Sequence, residues 1–582
     1  MIEFLIPLTL AIALAWPLGR YLAAVMRGGA APGDRVFGWI ERPLYRVLGV
    51  DPARGMGWKA YAVAFLASNA VLLALATALF MTQAWLPLNP NGAPNMRWDL
   101  ALHTAMSFLT NTNQQHYSGQ AQLSHLAQMT GIVGLQVVTP MMGLALVAAT
   151  LRGLFGGRAN PRDMALREDG LPVSTETPAN RVDIGNYWAD VIRPTVRVML
   201  PLCLLWSLLL TAQGVPSTLA GGPAATPVDA SAGMASQKIP LGPVAAMVAA
   251  KQLGSNGGGW YGPNSAVPLE NPTPLSNLLE MLAIVLLPMA VVFMVSAFTG
   301  RRRFTALVFG SMLLMSLLSA GAATWTEAHG PASGASALME GKEVRVGVDA
   351  SAAWAALTTQ VNNGSVNMMH DSAAPLTGLV AMANMLVNAI WGGIGCGLQQ
   401  FLVYLLLAVF VAGLMTGRTP ELFGRKIEAP EVKLLAVLVL LQPVALLGMT
   451  AATLAMPSLS GTSNPGFHGV SQVFYEYASA FANNGSGFEG LGDATAWWNL
   501  TTTALLALGR YPALVIPLAI AALLAAKRVA PESVGTLRIE TPTFALTLVA
   551  IVVILTLLQF MPVLVLGPVA EHLALATSGS IR

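Results

Sequence analysis

Charged residues are scarce in this chain of 582 residues, since Asp, Glu, Lys and Arg together make up only 10% of it. A water-soluble protein of this length needs far more surface charge, so the composition argues against a soluble enzyme and predicts no nucleic-acid partner. Cysteine is limited to Cys203 and Cys396, which both fall in apolar runs. A disulfide framework and a thiolate metal site are therefore excluded.

Nucleotide-binding motifs are missing as well. The sequence contains neither a Gly-x-x-x-x-Gly-Lys-Ser/Thr phosphate loop nor an Asp-Lys-Thr-Gly phosphorylation motif. The longest connection between apolar runs, about 213–272, is rich in Ala, Gly and Pro and has no pattern of a nucleotide-binding domain. We therefore expect that this chain binds no nucleotide and is not an enzyme by itself. Any ATP hydrolysis that drives it would take place on another chain.

Hydrophobic sequence takes the place of charge: 54% of the residues are hydrophobic and the mean hydropathy is +0.61. About 20 apolar residues in a helix cross the hydrocarbon core of a bilayer, which is roughly 30 Å thick. Ten runs are long enough, at about 3–25, 59–83, 126–151, 188–212, 275–299, 304–326, 376–416, 432–456, 496–526 and 541–566. This pattern predicts an all-α polytopic membrane protein with ten transmembrane helices in contact with membrane lipid.

The seventh run differs from the others because it is about twice the length that one span needs. Its middle contains Gly392, Gly393, Gly395 and Gly397. We predict a helix that is interrupted inside the membrane, which is tolerated only where protein or a water-filled cavity surrounds the break.

Basic residues are concentrated in alternate connections between the runs. The rich connections contain Arg27, Arg35, Arg42, Arg46 and Arg54; Arg152, Arg158, Arg162, Arg167 and Arg181; Arg301 to Arg303; Arg418, Arg425 and Lys426; and Lys527, Arg528 and Arg538. The other connections contain only Arg97, Lys238, Lys251, Lys342 and Arg345. Positive charge favours the cytoplasmic side, so we predict a cytoplasmic (inner) membrane protein whose N-terminus lies outside.

Four short polar loops occur at corresponding places between the runs. They are Thr110-Asn111-Thr112-Asn113, Ser255-Asn256-Gly257-Gly258, Asn362-Asn363-Gly364-Ser365 and Asn483-Asn484-Gly485-Ser486. Each follows a short segment of helical character and enters, by the charge pattern, from the outer face. Backbone carbonyls that replace an ion's hydration shell need the unusual backbone angles that Asn and Gly tolerate. The loops therefore predict a potassium filter, made asymmetric by Thr112 where the other loops have glycine.

The filter residues that we predict are Asn111, Thr112, Asn113, Ser255, Asn256, Gly257, Asn362, Asn363, Gly364, Asn483, Asn484 and Gly485. The order span, pore helix, loop, span repeats four times around a central pore, with one flanking span at each end. The predicted units are 1–58 (N-terminal span), 59–155, 186–300, 304–416 and 431–528 (four pore repeats), and 541–582 (C-terminal span).

Longer motifs along nearly the whole chain resemble a known family. They are Asn89-Pro90, Trp98-Asp99-Leu100-Ala101, the first loop with Gln115 and Tyr117-Ser118-Gly119, Gly254 to Gly259, Glu270-Asn271-Pro272-Thr273, Met339-Glu340-Gly341-Lys342-Glu343, Met369-His370-Asp371-Ser372, Gly413-Leu414-Met415, Gly417-Arg418-Thr419-Pro420-Glu421, Asn483 to Ser486 and Leu566-Gly567-Pro568-Val569-Ala570-Glu571. In these motifs the chain resembles the potassium-binding A subunit of the bacterial Kdp potassium-importing ATPase. It departs from the family pattern at Gln114, Asn362-Asn363 and Asn388.

The resemblance implies K⁺ as the transported ion and passage of that ion through an intramembrane tunnel. It also implies a P-type ATPase catalytic subunit and small accessory membrane subunits as partners. Two other hypotheses stay open on the sequence. One is an autonomous channel-like potassium transporter of the Trk, Ktr and plant HKT type, and the other is a membrane sensor that binds potassium without conducting it.

Single residues outside the loops complete the predicted site. Charged groups inside a membrane are costly and are functional candidates. Arg510 in the ninth run is expected to block leakage below the filter, together with the glycine break, whereas Glu280 either functions or only reaches the membrane edge. Gln115 is expected to hold the first loop by hydrogen bonds. Further candidates are Arg418 for coupling to the partner and Asp371, with His116 and His370, in the outer vestibule.

Overall fold

Ten helices of the computed structural model are long and apolar enough to cross a membrane. The structure describes residues 2–27, 31–155, 182–229, 231, 233–331, 338–531 and 535–579. In chain order the spans 1 to 10 are Ile2–Met26, Trp58–Trp85, Ala127–Phe155, Tyr187–Ala212, Pro274–Thr299, Arg302–Ala328, Cys396–Met415, Ala429–Leu454, Ala496–Ala525 and Pro542–Thr577. The prediction of ten spans in an all-α membrane fold is confirmed. Four of the basic residues on which the predicted orientation depends, Arg158, Arg162, Arg167 and Arg181, lie outside the described residues.

Four further helices precede the four polar loops and are called pore helices 1 to 4. They are Trp98–Leu109, Val244–Leu253, Gly347–Val361 and Phe467–Ala482. Each lies between two spans in the chain, so the order span, pore helix, loop, span occurs four times. The loops receive the carbonyl ends of these helices, where the helix dipole is negative.

Smaller elements connect the spans. The short helices are Asp34–Val47, Gly119–Gln122, Asn264–Ala266, His370–Ser372, Pro375–Val387 and Pro457–Ser460, and span 2 itself ends in the 3₁₀ turn Gln83–Trp85. Within spans 3, 4 and 10, π-helical turns occupy Ala127–Val133, Thr195–Met199 and Val565–Val569. Two antiparallel ribbons pair Ala224–Ala225 with Gln237–Lys238 and Glu421–Leu422 with Arg425–Lys426.

The seventh run is interrupted, as its glycines predict. Its first half is the helix Pro375–Val387, and span 7 begins only at Cys396. Between them Gly392 and Gly395 have φ angles of 59° and 85°. A Cβ on Gly395 would lie 2.3 Å from the carbonyl oxygen of Gly143, so glycine lets the break contact span 3.

Spans 3 and 5 form the centre of the protein, because most of their residues are buried. Few residues of spans 2 and 8 are buried, and both spans present leucine and valine side chains where lipid would lie. Span 3 packs against span 9, and span 1 packs along span 5. The first loop lies beside span 3, because Thr139 Oγ1 donates to Asn111 Oδ1 at 2.9 Å.

Candidate functional site

The four pore helices end in the same turn. The first residue of each turn has a left-handed backbone, at Asn111, Ser255, Asn362 and Asn483. The N–H of the next residue then bonds a carbonyl five positions earlier, always at 2.9 Å: Thr112 to Ser107, Asn256 to Lys251, Asn363 to Thr358 and Asn484 to Ser479. This is the Schellman ending of a helix, in which glycine or asparagine usually takes the left-handed position. The four loops thus share one geometry.

The common turn fixes which residues correspond. Two positions after the first left-handed residue, the backbone is left-handed again, at Asn113, Gly257, Gly364 and Gly485. Asn113, with φ of 62°, therefore occupies the glycine position of the first loop. The match of Thr112 with the three glycines was wrong by one residue, because asparagine also tolerates this conformation. The ring is still asymmetric, since one loop of four has a side chain there.

The loops contact one another in a fixed cyclic order. A Cβ on Gly257 would lie 1.7 Å from the carbonyl oxygen of Asn363, and one on Gly364 would lie 2.2 Å from that of Asn484. A Cβ on Gly485 would lie 2.0 Å from the carbonyl oxygen of Thr112. Loop 2 thus meets loop 3, loop 3 meets loop 4, and loop 4 meets loop 1.

Side-chain amides strengthen these contacts and add the remaining one, between loops 1 and 2. Asn111 Nδ2 donates to the carbonyl of Ser255 at 3.1 Å and so links loop 1 to loop 2. Asn363 and Asn484 donate to carbonyls of the preceding pore helix, at Lys251 (3.0 Å) and Thr358 (3.2 Å). These asparagine side chains therefore bond backbone carbonyls of a neighbouring repeat. The ring of four loops is therefore closed by hydrogen bonds between neighbours.

One carbonyl at the same place in each loop has no donor. The carbonyl oxygens of Thr112, Asn256, Asn363 and Asn484 accept no hydrogen bond from any described residue, although these residues are buried. A buried carbonyl without a partner costs free energy comparable to a lost hydrogen bond. Four such groups at equivalent positions of a ring form an arrangement that a dehydrated cation would satisfy.

Gln115 holds a neighbouring loop. Its Nε2 donates to the carbonyl of Gly259 at 3.0 Å, and its Oε1 accepts from the N–H of Gly259 at 2.9 Å. The expectation that this amide holds the first loop is thus corrected: Gln115 extends from loop 1 and fixes the backbone after loop 2. Gln136 of span 3 supports the same segment by donating to the carbonyl of Gly258 at 3.0 Å.

Arg510 and the broken seventh run meet below the loops. They line one small cavity together with Asn111, Asn362, Asn388, Gly393, Cys396 and Asn483. The guanidinium donates to Cys396 Sγ and, at 3.4 Å, to the carbonyl of Thr139. Arg418 does not reach this cavity: it is exposed after span 7 and donates to the carbonyl of Thr536 at 3.1 Å.

The chain is similar in sequence to known proteins over almost its whole length. The family model of the potassium-transporting ATPase A subunit matches residues 5–573. The chain belongs to this family. Its curated relatives include potassium-transporting ATPase potassium-binding subunits from Gloeobacter violaceus (43% identical, covering 99% of this chain and 98% of the relative), Pseudomonas putida (42%, 96% of each) and Rhodospirillum centenum (42%, 100% and 98%). The solved potassium transporter TrkH from Vibrio parahaemolyticus aligns with a TM-score of 0.49 and 13% identity over 87% of this chain and 97% of that structure.

Membership of the family confirms the resemblance that the motifs indicated.

A buried ionic cluster lies next to loop 2 and was not predicted from the sequence. Lys251 of pore helix 2 pairs with Glu270, and both side chains are fully buried. Asn264, which accepts from Lys251 Nζ, donates to the carbonyl of Gly257 in the loop. The signal was a lysine within an apolar helix at membrane depth, where a charge needs a partner.

Glu280 belongs to the same buried region. Its Oε2 accepts hydrogen bonds from Gln252 Nε2 and Ser265 Oγ, both at 2.7 Å, and its side chain is fully buried. The alternative in which Glu280 only reaches the membrane edge was therefore wrong. Pore helix 2 and span 5 are joined through this carboxyl group.

Asp371 lies against the segment that follows loop 4, near Gly490, and is held from pore helix 4. Its Oδ1 accepts from His468 Nε2 and Gln472 Nε2, both at 2.9 Å. Burial by itself would raise the pKa of Asp371, but these hydrogen bonds hold it below its usual value. Burial would likewise lower the pKa of His468, but its bonds to Asp371 and Glu571 raise it to about 9. Asp371 is thus ionised next to a positive imidazole.

His116 and His370 are not open vestibule groups as the sequence suggested. Both are buried, with exposed fractions of 2% and 3%. His370 bonds the hydroxyl of Tyr475 at 2.8 Å, and burial lowers its pKa to about 4. His116 lies between loop 1 and pore helix 4.

Proposed function

We propose that this chain is the potassium-selecting subunit of an ATP-driven import complex and that its four loops form the filter. The proposal depends above all on the four buried carbonyls of Thr112, Asn256, Asn363 and Asn484, which have no donor among the described residues. Their oxygens would take the place of water around a dehydrated K⁺ ion. The names of the curated relatives support potassium as that ion.

The close contacts between loops support selectivity. Each glycine contact leaves no room for a side chain, so neighbouring loops hold one another's carbonyls at a set separation. The carbonyl ends of the four pore helices add negative potential toward the same place. A smaller ion such as Na⁺ would then be coordinated less well. The ring cannot contract around it without breaking the hydrogen bonds that the asparagine side chains make between neighbouring repeats.

The route below the filter is proposed to turn sideways. The fixed positive charge of Arg510 beside the broken seventh run would oppose passage of a cation straight to the cytoplasm, because charges in a poorly solvated site are weakly screened. The ion would instead leave through an intramembrane tunnel toward a partner. Arg418 is exposed after span 7. We assign it to contact with that partner, on the side predicted to be cytoplasmic.

ATP hydrolysis is assigned to another chain. The sequence lacks the phosphate-binding and phosphorylation motifs. We assign this chemistry to a P-type ATPase catalytic subunit, assembled with small accessory membrane subunits; the relatives' names, potassium-transporting ATPase potassium-binding subunit, support an ATPase partner. The complex would lie in the cytoplasmic (inner) membrane with the N-terminus and the filter outside, in agreement with the basic connections.

Reconstitution in proteoliposomes tests this function. The chain is incorporated alone, with its P-type ATPase and accessory subunits, and with a catalytically inactive form of the ATPase as the matched control. Uptake of K⁺, and not of Na⁺, is expected only with the active partner and ATP. Rapid K⁺ flux through the chain alone would replace the proposal by an autonomous transporter. Potassium binding without flux in any assembly would indicate a sensor.

A further inference from the structure

A second polar cluster lies between loop 1 and pore helix 4, apart from the carbonyl ring. It consists of His116, Glu476 and Asp493 and is called here the His116 cluster. The Nε2 atom of His116 lies 3.1 Å from Glu476 Oε1 and 4.0 Å from Asp493 Oδ2. The side chains of His116 and Glu476 are buried, whereas that of Asp493 is 29% exposed. One donor atom from each residue lies within 4.8 Å of the other two.

The hydrogen bonds around His116 fix which ring nitrogen carries a proton. Its Nδ1 lies 2.8 Å from Asn499 Oδ1, while Asn499 Nδ2 donates to Asp99 Oδ2 at 3.0 Å. Because the amide nitrogen of Asn499 is used by Asp99, its oxygen must accept, and His116 Nδ1 must donate. The lone pair of Nε2 in the neutral ring then faces two carboxylate oxygens. These carboxylate oxygens require a positive centre beside them, which is either a second proton on Nε2 or a metal cation in its place.

A second observation points to a missing ligand. Glu476 Oε2 is buried and has no hydrogen-bond partner among the described residues, while Oε1 accepts from Gln114 Nε2. The oxygen near His116 is Oε1, and the unsatisfied Oε2 of the same buried carboxylate adds a free-energy cost that a cation bound to this carboxylate would reduce. The ring of His103 stacks on that of His116, with centroids 3.8 Å apart, and keeps the imidazole in its orientation. The donors are therefore fixed before any ion binds.

We propose that the His116 cluster is a binding site for a divalent transition-metal cation of the zinc class. One imidazole nitrogen and two carboxylate oxygens are a common three-ligand set for zinc, with water or a fourth group completing a tetrahedron. Bonds of about 2.0–2.2 Å place tetrahedral donors about 3.4 Å apart, close to the separation of His116 Nε2 and Glu476 Oε1. The bond from His116 Nδ1 to Asn499 is the outer contact that a metal-binding histidine needs.

The position of the cluster gives the metal a structural consequence. His116 follows loop 1, Glu476 belongs to pore helix 4, and Asp493 lies after loop 4. A bound cation would therefore tie loop 1 to loop 4, next to the contact between Gly485 and the carbonyl of Thr112. Ions would reach the site past the partly exposed Asp493. This inference does not depend on potassium being the transported ion.

The test uses the purified full-length chain, stripped of metal by a chelator and titrated with Zn²⁺, and with Co²⁺ for its visible spectrum. We expect one saturable equivalent per chain, Co²⁺ absorption bands typical of a tetrahedral site, and a higher thermal unfolding temperature with Zn²⁺. His116→Gln and Asp493→Asn should abolish all three responses. Asn499→Ala should weaken Zn²⁺ binding by about 10- to 100-fold, since it removes only the outer contact.

The matched control is His329→Gln, which removes an exposed histidine at the end of span 6 and should leave binding unchanged. Asp493→Asn keeps the test decisive if His116→Gln fails to fold, because Asp493 is partly exposed. Absence of a saturable wild-type site would show that a proton alone occupies the cluster and would overturn the proposal. Wild-type affinity in Asp493→Asn together with unchanged Co²⁺ bands would overturn it equally.

Discussion

Adding one methyl group at Gly257 should displace a carbonyl of the proposed filter. The Cβ of an alanine there would lie 1.7 Å from the carbonyl oxygen of Asn363 in the next loop. A separation of about 3.0 Å is the least that such atoms tolerate, so the carbonyl must move by about 1.3 Å or more. Losing one ion contact of this kind costs about 1.5–3 kcal/mol, taking a hydrogen bond to a charged group as the guide. Potassium affinity should fall about 10- to 150-fold.

Gly214 is the matched control for this change. It has the same φ of 102°, but the nearest atom to its Cβ position is Pro272 Cγ at 4.0 Å. Gly214→Ala therefore introduces the same kind of backbone strain, about 1–3 kcal/mol, without the collision. A difference in potassium affinity between the two variants isolates the movement of the Asn363 carbonyl.

The assay is a potassium titration of ATP hydrolysis by the assembled complex, together with the potassium-dependent rise in thermal unfolding temperature of the isolated chain. Gly364→Ala and Gly347→Ala repeat the comparison in the third repeat, with φ angles of 78° and 79° and open space only at Gly347. Equal potassium affinities within both pairs of folded variants would refute the reasoning. The carbonyls at these contacts would then not bind the ion.

Three further changes test the surroundings of the ring. Gln115→Arg should lower potassium affinity at least about tenfold in the same titration, because it breaks the bonds to Gly259 after loop 2 and adds a poorly screened positive charge. Gln120→Arg, whose side chain accepts an exposed hydrogen bond from Gly262, should not. Arg510→Ala should permit ATP-independent potassium leak into proteoliposomes while Arg510→Lys does not; fully coupled uptake in both would place the block elsewhere. Lys251→Met should lower the free energy of unfolding by about 3–5 kcal/mol, since it leaves a buried carboxylate unpaired. The control Glu540→Gln, which removes the partly exposed partner of Arg301, should lower it by less than about 1 kcal/mol. Equal losses for Lys251→Met and Glu540→Gln in denaturant unfolding would contradict this.

Properties that depend on one segment at a time could be predicted from the sequence. The ten spans follow from hydropathy, because a helix that crosses lipid must satisfy its own backbone and cover itself with apolar side chains. The break before Cys396 was predicted from closely spaced glycines in an overlong run. The four loops were found because Asn and Gly stand where a helix must end in a left-handed turn.

The correspondence between loops could not be found in this way. Only the Schellman bonds show that Asn113, and not Thr112, takes the place of Gly257, because residue type alone does not reveal a left-handed backbone. The role of Gln115 was misplaced for a related reason: its partner Gly259 lies in another repeat. A sequence indicates which groups need partners but does not indicate which distant group will provide them.

Tertiary structure alone decided the burial and pairing of the polar groups. Glu280 is buried, and the His116 cluster brings His116 together with two carboxylates that lie at least 360 positions later in the chain. The sequence by itself determined a ten-span protein with four exposed-backbone loops, since local composition dictates those elements. The assembly of these loops into one ring depends on contacts between repeats. The asparagine side chains find their hydrogen-bond partners, and the loop carbonyls are left without donors, only when the four repeats pack together.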